Sequence, residues 1–95
     1  MAIDPRVDAV RGDLADVRLA DRVFAPHYAA PLPRPLVTGV ALRETKKADS
    51  EVIAQLDSGS IFEVLELSGG NAWGVDAASG LVGYIDASAL GETLP

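Results

Sequence analysis

The rhythm of apolar positions changes near residue 36. Beyond it they come in short runs of alternating character divided by turn residues; before it they are sparse and interrupted by proline. Leu36 to Leu42 reads as a first strand, bulged at Gly39, and Arg43 to Ser50 as a charged loop. Val52 to Leu56 is a short second strand ended by Asp57-Ser58-Gly59, and residues 60–67 form the clearest strand of the chain. Ser68-Gly69-Gly70-Asn71 is a tight turn, because Gly and Asn accept the positive φ that hairpins require. Ala72 to Asp76 is a fourth strand, Ala77 to Gly80 a turn and Leu81 to Ile85 a fifth strand. Asp86 caps one helical turn through Ala89, and Leu90 restarts the chain toward a last short pairing. Ahead of all this, Asp13 with Leu14, Val17 and Leu19 predicts a short helix over residues 13–20. Pro26, Pro31, Pro33 and Pro35 predict an extended, polyproline-like linker, since proline fixes φ and keeps its predecessor out of the helical region.

Short strands with glycine turns predict an all-β fold. For residues 36–95 a closed barrel of five or six strands is the economical solution, because closure removes open edges. Residues 1–35 then form a largely extended N-terminal arm and proline-rich linker. A hydrophobic content of 48% supplies a core, whereas 5% aromatics leave little flat surface for stacking bases or sugars.

Charge divides the chain in the same place. Five aspartates and five arginines cancel in residues 1–35. Residues 36–95 set nine acidic groups against Arg43, Lys46 and Lys47, so the whole net charge of −6 lies there. Such a module repels phosphate backbones, which argues against a nucleic acid partner, and it gains nothing from an anionic wall surface. Without cysteine there is no thiolate nucleophile, thiolate metal ligand or disulfide. His27 has neither a second histidine nor a carboxylate at ligand spacing, so no metal site, catalytic residue or cofactor is expected. The start, Met1 to Arg6, carries charge without an apolar run and does not read as a secretory signal. The longest uncharged stretch, residues 23–33, is broken by three prolines, and no membrane span or membrane partner is expected.

Several short patterns occur in a telling order. Gly59-x-x-Phe62-x-Val64-Leu65, a Gly-Gly-Asn turn, Trp73-x-Val75, then Gly80-x-x-Gly83-Tyr84-Ile85 and Leu90 resemble the bacterial SH3 (SH3b) pattern over residues 36–90. The resemblance implies a small SH3-like barrel. Asp4-Pro5-Arg6-Val7, Asp13-Leu14-Ala15, Leu19 and Val23-Phe24-Ala25-Pro26 resemble the region ahead of the SH3b domain in NlpC/P60 proteins. Those enzymes cleave peptidoglycan peptides with a Cys-His pair in a separate C-terminal domain. The resemblance implies a non-catalytic module that docks on such a domain and helps select cell-wall peptides with a free N-terminus. Without a secretory signal the expected location is the cytoplasm, where such an enzyme would process recycled wall peptides, with the cell envelope as the second location. A stand-alone adaptor for peptidoglycan or a protein partner is the alternative.

Candidate contact residues follow. Trp73 either packs in or beside the core or stacks on a ligand, and Tyr84, beside small residues, can keep its hydroxyl at a groove. Tyr28 either docks on the barrel or a partner or is a linker aromatic. The first long loop, residues 43–51, is the usual contact loop of SH3 folds, so Arg43, Glu44, Lys46 and Lys47 are candidates for a peptide's terminal charges. Strict alternation puts Ile61, Leu65 and Leu67 around Glu63 on one outward face, which the arm or an absent domain should cover. Pro31-Leu32-Pro33-Arg34-Pro35 reads as linker, because the barrel lacks the tyrosines that receive such a ligand in eukaryotic SH3 domains.

Overall fold

Three consecutive strands with complementary alternation build the centre of the fold. In the computed structural model, which describes residues 6–7, 9, 11, 13–19, 27–47 and 49–92, eight strands follow one another. They are β1 (Leu14–Asp16), β2 (His27–Ala29), β3 (Leu32–Pro35), β4 (Val40–Arg43), β5 (Val52–Leu56), β6 (Ile61–Ser68), β7 (Asn71–Asp76) and β8 (Val82–Asp86). Two single 3₁₀ turns, Val17–Leu19 and Ala87–Ala89, complete the regular structure. Gly69 and Gly70 join β6 to β7 with φ of 58° and 82°, the two positive values that a two-residue hairpin of matching twist demands.

Six strands form one antiparallel sheet in the order β3-β6-β7-β8-β4-β5. Leu36, just after β3, bridges to Leu90, just after the 3₁₀ turn that follows β8, and Gly91 N donates to Pro35 O at 2.7 Å. Inside lie Leu36, Leu42, Leu56, Phe62, Val64, Ala72, Ile85 and Leu90, a single apolar core. This is the small all-β barrel expected.

Two glycines set its curvature. Gly74 and Gly83 face each other across β7 and β8 on the inner side. A Cβ on Gly74 would lie 2.0 Å from Glu63 O, and one on Gly83 2.6 Å from Arg43 O. Only strands without side chains there can approach so closely.

The departures from expectation are local. Leu32–Pro35, expected as linker, is an edge strand paired with β6. Leu36 N donates to Ser60 O, so by alternation Pro33 and Pro35 turn their donor-less nitrogens away from β6, to the side where no strand of the sheet pairs with β3 and proline is tolerated. Leu36 itself makes only a bridge; the predicted first strand begins at Val40.

Of the short helix expected over residues 13–20 only the single 3₁₀ turn Val17–Leu19 forms, and residue 20 lies outside the described ones. Instead β1 pairs in parallel with β2, and the Asp16 carboxylate accepts from Arg18 N at 2.9 Å. That short-range capture competes with helical hydrogen bonding.

β6 also departs from strict alternation. Its register slips between Val64 and Glu66, so Leu65 is the extra residue of a bulge. Beyond the bulge Glu66, not Leu67, shares the outer face with Glu63, and Leu67 pairs with Ala72. The predicted grouping of Ile61, Leu65 and Leu67 on one face is therefore corrected. Leu65 is buried, Ile61 half-buried and Leu67 exposed.

Gly74→Ala should cost more than about 3 kcal/mol of unfolding free energy or prevent folding, because the clash is with backbone. Gly80→Ala, at φ 76° with open space around it, should cost about 1–2 kcal/mol. Urea denaturation of the two variants checks the order; equal losses would show that the strands have room to give.

Candidate functional site

The outer face of the sheet carries an uncommon row. Because directly paired residues point the same way, Glu66, Trp73, Tyr84 and Arg43 line up across β6, β7, β8 and β4. The Trp73 and Tyr84 rings stand 6.5 Å apart at 39°. Beside them Leu65, Val75 and Val82 form a second apolar cluster outside the barrel, joined by Ala9, Leu14 and Ala29 of the N-terminal segment. Trp73 is thus buried beside the core rather than in it.

What covers it is an arginine. The Arg11 guanidinium sits 4.7 Å over the Trp73 ring. Nη1 and Nη2 donate to the two Glu66 oxygens at 2.6 and 2.9 Å, while Nε and Nη2 donate to Asp13, both at 3.0 Å. Nη1 also reaches the Tyr84 hydroxyl at 3.5 Å. A flat cation over an indole with a two-pronged carboxylate at its edge joins cation–π attraction to charge-assisted hydrogen bonding. The Glu66 contact raises Arg11 above its ordinary pKa against the opposing effect of burial, and Arg11 in turn holds Glu66 and Asp13 below the usual carboxylate values. Lys46 adds a weaker pull on Glu66 from the loop.

A second arginine repeats the theme. Arg18 donates to Asp16 through Nε and Nη2 at 2.8 and 2.5 Å and to both oxygens of Glu63 at 3.2 and 3.0 Å. Asp16 first, then Glu63, raises the Arg18 pKa. Arg6 lies 3.7 Å from Glu44 and 3.5 Å from Glu51. Its carbonyl also accepts from Val82 N at 2.7 Å. Among the described residues, Arg6, Arg11 and Arg18 of the arm thus each meet a carboxylate of the barrel.

Between the arm and the loop after β4 lies a cavity of about 160 Å³. Arg6, Arg11, Glu44 and Ile53 form its walls; Trp73, Val82, Gly83 and Tyr84 form its floor. It places a carboxylate and guanidinium groups above an aromatic base.

Residues 38–91 match the family model of the bacterial SH3 domain. The chain belongs to that family. Neither curated proteins nor solved structures gave a match. Bacterial SH3 domains are non-catalytic binding domains, and in this one the matched barrel supplies Glu66, Trp73 and Tyr84 while Arg11 and Asp13 precede it.

The other sequence candidates fall in different places. Arg43 of the SH3 domain is buried, its guanidinium engaged by Asn71 Oδ1 at 2.6 Å, the Lys46 carbonyl at 3.0 Å and Asp86 at 3.3 Å. It braces the base of the loop. Lys46 and Lys47 are exposed on that loop, and Tyr28 is partly exposed on β2, opposite Ala15. Sequence reasoning did not find Arg11, Asp13 and Glu66. The bulge hides Glu66's face, and nothing in an arginine's neighbours announces an aromatic partner from a distant strand.

Glu66, with its pKa lowered in the folded state, stabilises the clasp fully above the ordinary glutamate value of about 4.3, and that contribution fades as the pH falls through the lowered value. Trp73 fluorescence should therefore report loosening in acid, and Glu66→Gln should flatten that pH dependence. A double-mutant cycle of Arg11→Ala and Glu66→Ala should give a coupling of about 1 kcal/mol, the upper end for a partly exposed pair.

Proposed function

We propose that this bacterial SH3 domain is the non-catalytic module of an NlpC/P60-type peptidoglycan hydrolase, docking on the catalytic domain and helping to select cell-wall peptides. The observation that carries the reading is the small mixed-charge cavity above Trp73 and Tyr84. Glu44 offers an acceptor for a terminal ammonium, Arg6 a donor for a carboxylate, and the aromatic floor an apolar rest for the chain between them. At about 160 Å³ it is smaller than the 300–1,000 Å³ pockets of drug-sized ligands, which suits the tip of a short peptide better than a glycan polymer. The likeness of the arm to the leader of NlpC/P60 enzymes supplies the catalytic context, and the exposed Leu32 and Leu67 are apolar surface for contact with such a domain.

Titration of the chain with the tripeptide L-alanyl-γ-D-glutamyl-diaminopimelate, followed by amide NMR, should shift Ile53, Gly83 and Tyr84. Glu44→Ala should weaken binding about tenfold. Retention on purified sacculi without tripeptide binding would instead favour the adaptor reading. In a hydrolase carrying this module, Lys46→Ala with Lys47→Ala should alter peptide selectivity; unchanged selectivity would remove those lysines from recognition.

A further inference from the structure

The barrel residues Glu66, Trp73 and Tyr84 form a cradle whose occupant comes from outside the barrel. Every N–H of the Arg11 guanidinium is directed at a partner: Nε at Asp13, Nη2 at Asp13 and Glu66, Nη1 at Glu66 and the Tyr84 hydroxyl. The guanidinium carbon lies 4.7 Å from the centroid of the Trp73 ring. Five donors in a rigid fork, held over an indole and each met by an acceptor, define a receptor for guanidinium; an ammonium brings only three donors from one point. The barrel's own core does not need this cation, since it lies on the opposite face of β7 and β8. Next to Arg11 the cavity floored by Tyr84, Gly83 and Val82 stays open, giving an incoming chain a path to the same rings.

We infer that Glu66, Trp73 and Tyr84 constitute a guanidinium-binding site in which Arg11 is a built-in occupant, and that an arginine-bearing protein segment takes its place when the arm withdraws. The inference rests on reading this face as the binding face of the domain. It adds the ligand chemistry and a competitor within the chain. Asp13 makes the built-in occupant an Arg-x-Asp segment, so a competing segment does best with an acidic residue two positions after its arginine.

The probes are N-acetyl-arginine amide and N-acetyl-lysine amide, and the readout is the fluorescence of Trp73, the single tryptophan. Arg11→Ala in the full chain should bind the arginine amide saturably at low millimolar concentration. The lysine amide should bind at least tenfold more weakly, and Glu66→Gln added to Arg11→Ala should abolish the response. Wild type should need at least tenfold more arginine amide. A cooperatively folded Arg11→Ala that ignores the arginine amide, or takes both amides alike, overturns the inference. Should Arg11→Ala fail to fold, Asp13→Asn loosens the occupant without removing it; it should respond at lower arginine amide than wild type, and an unchanged response overturns the inference. Tripeptide binding without arginine binding would sink this site alone, and the reverse would sink the wall-peptide reading alone.

Discussion

Between the Glu63 and Arg43 backbones there is no room for a side chain, and much of the molecule follows from that. Gly74 and Gly83 let β6 and β4 close on the inner face of the β7–β8 pair, which gives the sheet its tight curve. A barrel so narrow fills with a few side chains, Phe62, Leu42 and Ile85 at its most enclosed points and Leu36, Leu56 and Leu90 around them. The bulky neighbours of the two glycines, Trp73, Val75, Val82 and Tyr84, alternate to the outside. An apolar patch of that kind in water is costly, and the N-terminal segment covers it.

The covering segment is held by charge as much as by apolar contact. Arg11 and Arg18 reach Glu66 and Glu63, two acidic residues of one strand, and each arginine carries its own aspartate to fix its orientation. Leu65 rises between those glutamates as a bulge and packs into the cluster. One inserted residue thus moves Glu66 into line with Trp73, and without it the carboxylate would miss the aromatic row.

Much of the barrel was legible because its signals are local. The β6–β7 turn announces itself through Gly69-Gly70, the 77–80 turn through Gly80, and β5 to β8 through alternation. β3 was not, because proline at an edge and proline in a linker look alike until a partner strand is known. β1 was lost for a related reason: three residues pair with a strand on the far side of a proline-containing stretch, and their intrinsic preference is weak. Within the site, Trp73 and Tyr84 were visible from their strand motifs. Arg11 and Glu66 were not, since their meeting depends on a register slip and on the path of the arm.

The arm's hold on the barrel spans long stretches of chain, since Arg11 meets Glu66 across 55 positions and Arg18 meets Glu63 across 45. The barrel's own closing contacts, Arg43 with Tyr84 and Leu36 with Leu90, are just as distant in sequence. What separates the two is the kind of bonding. β7 is hydrogen-bonded along both sides to β6 and β8, whereas β1 and β2 form a two-stranded sheet of their own. A local opening that freed the arm would therefore break none of the barrel's ladders, and it would bring the Trp73 indole into water while the barrel stayed intact.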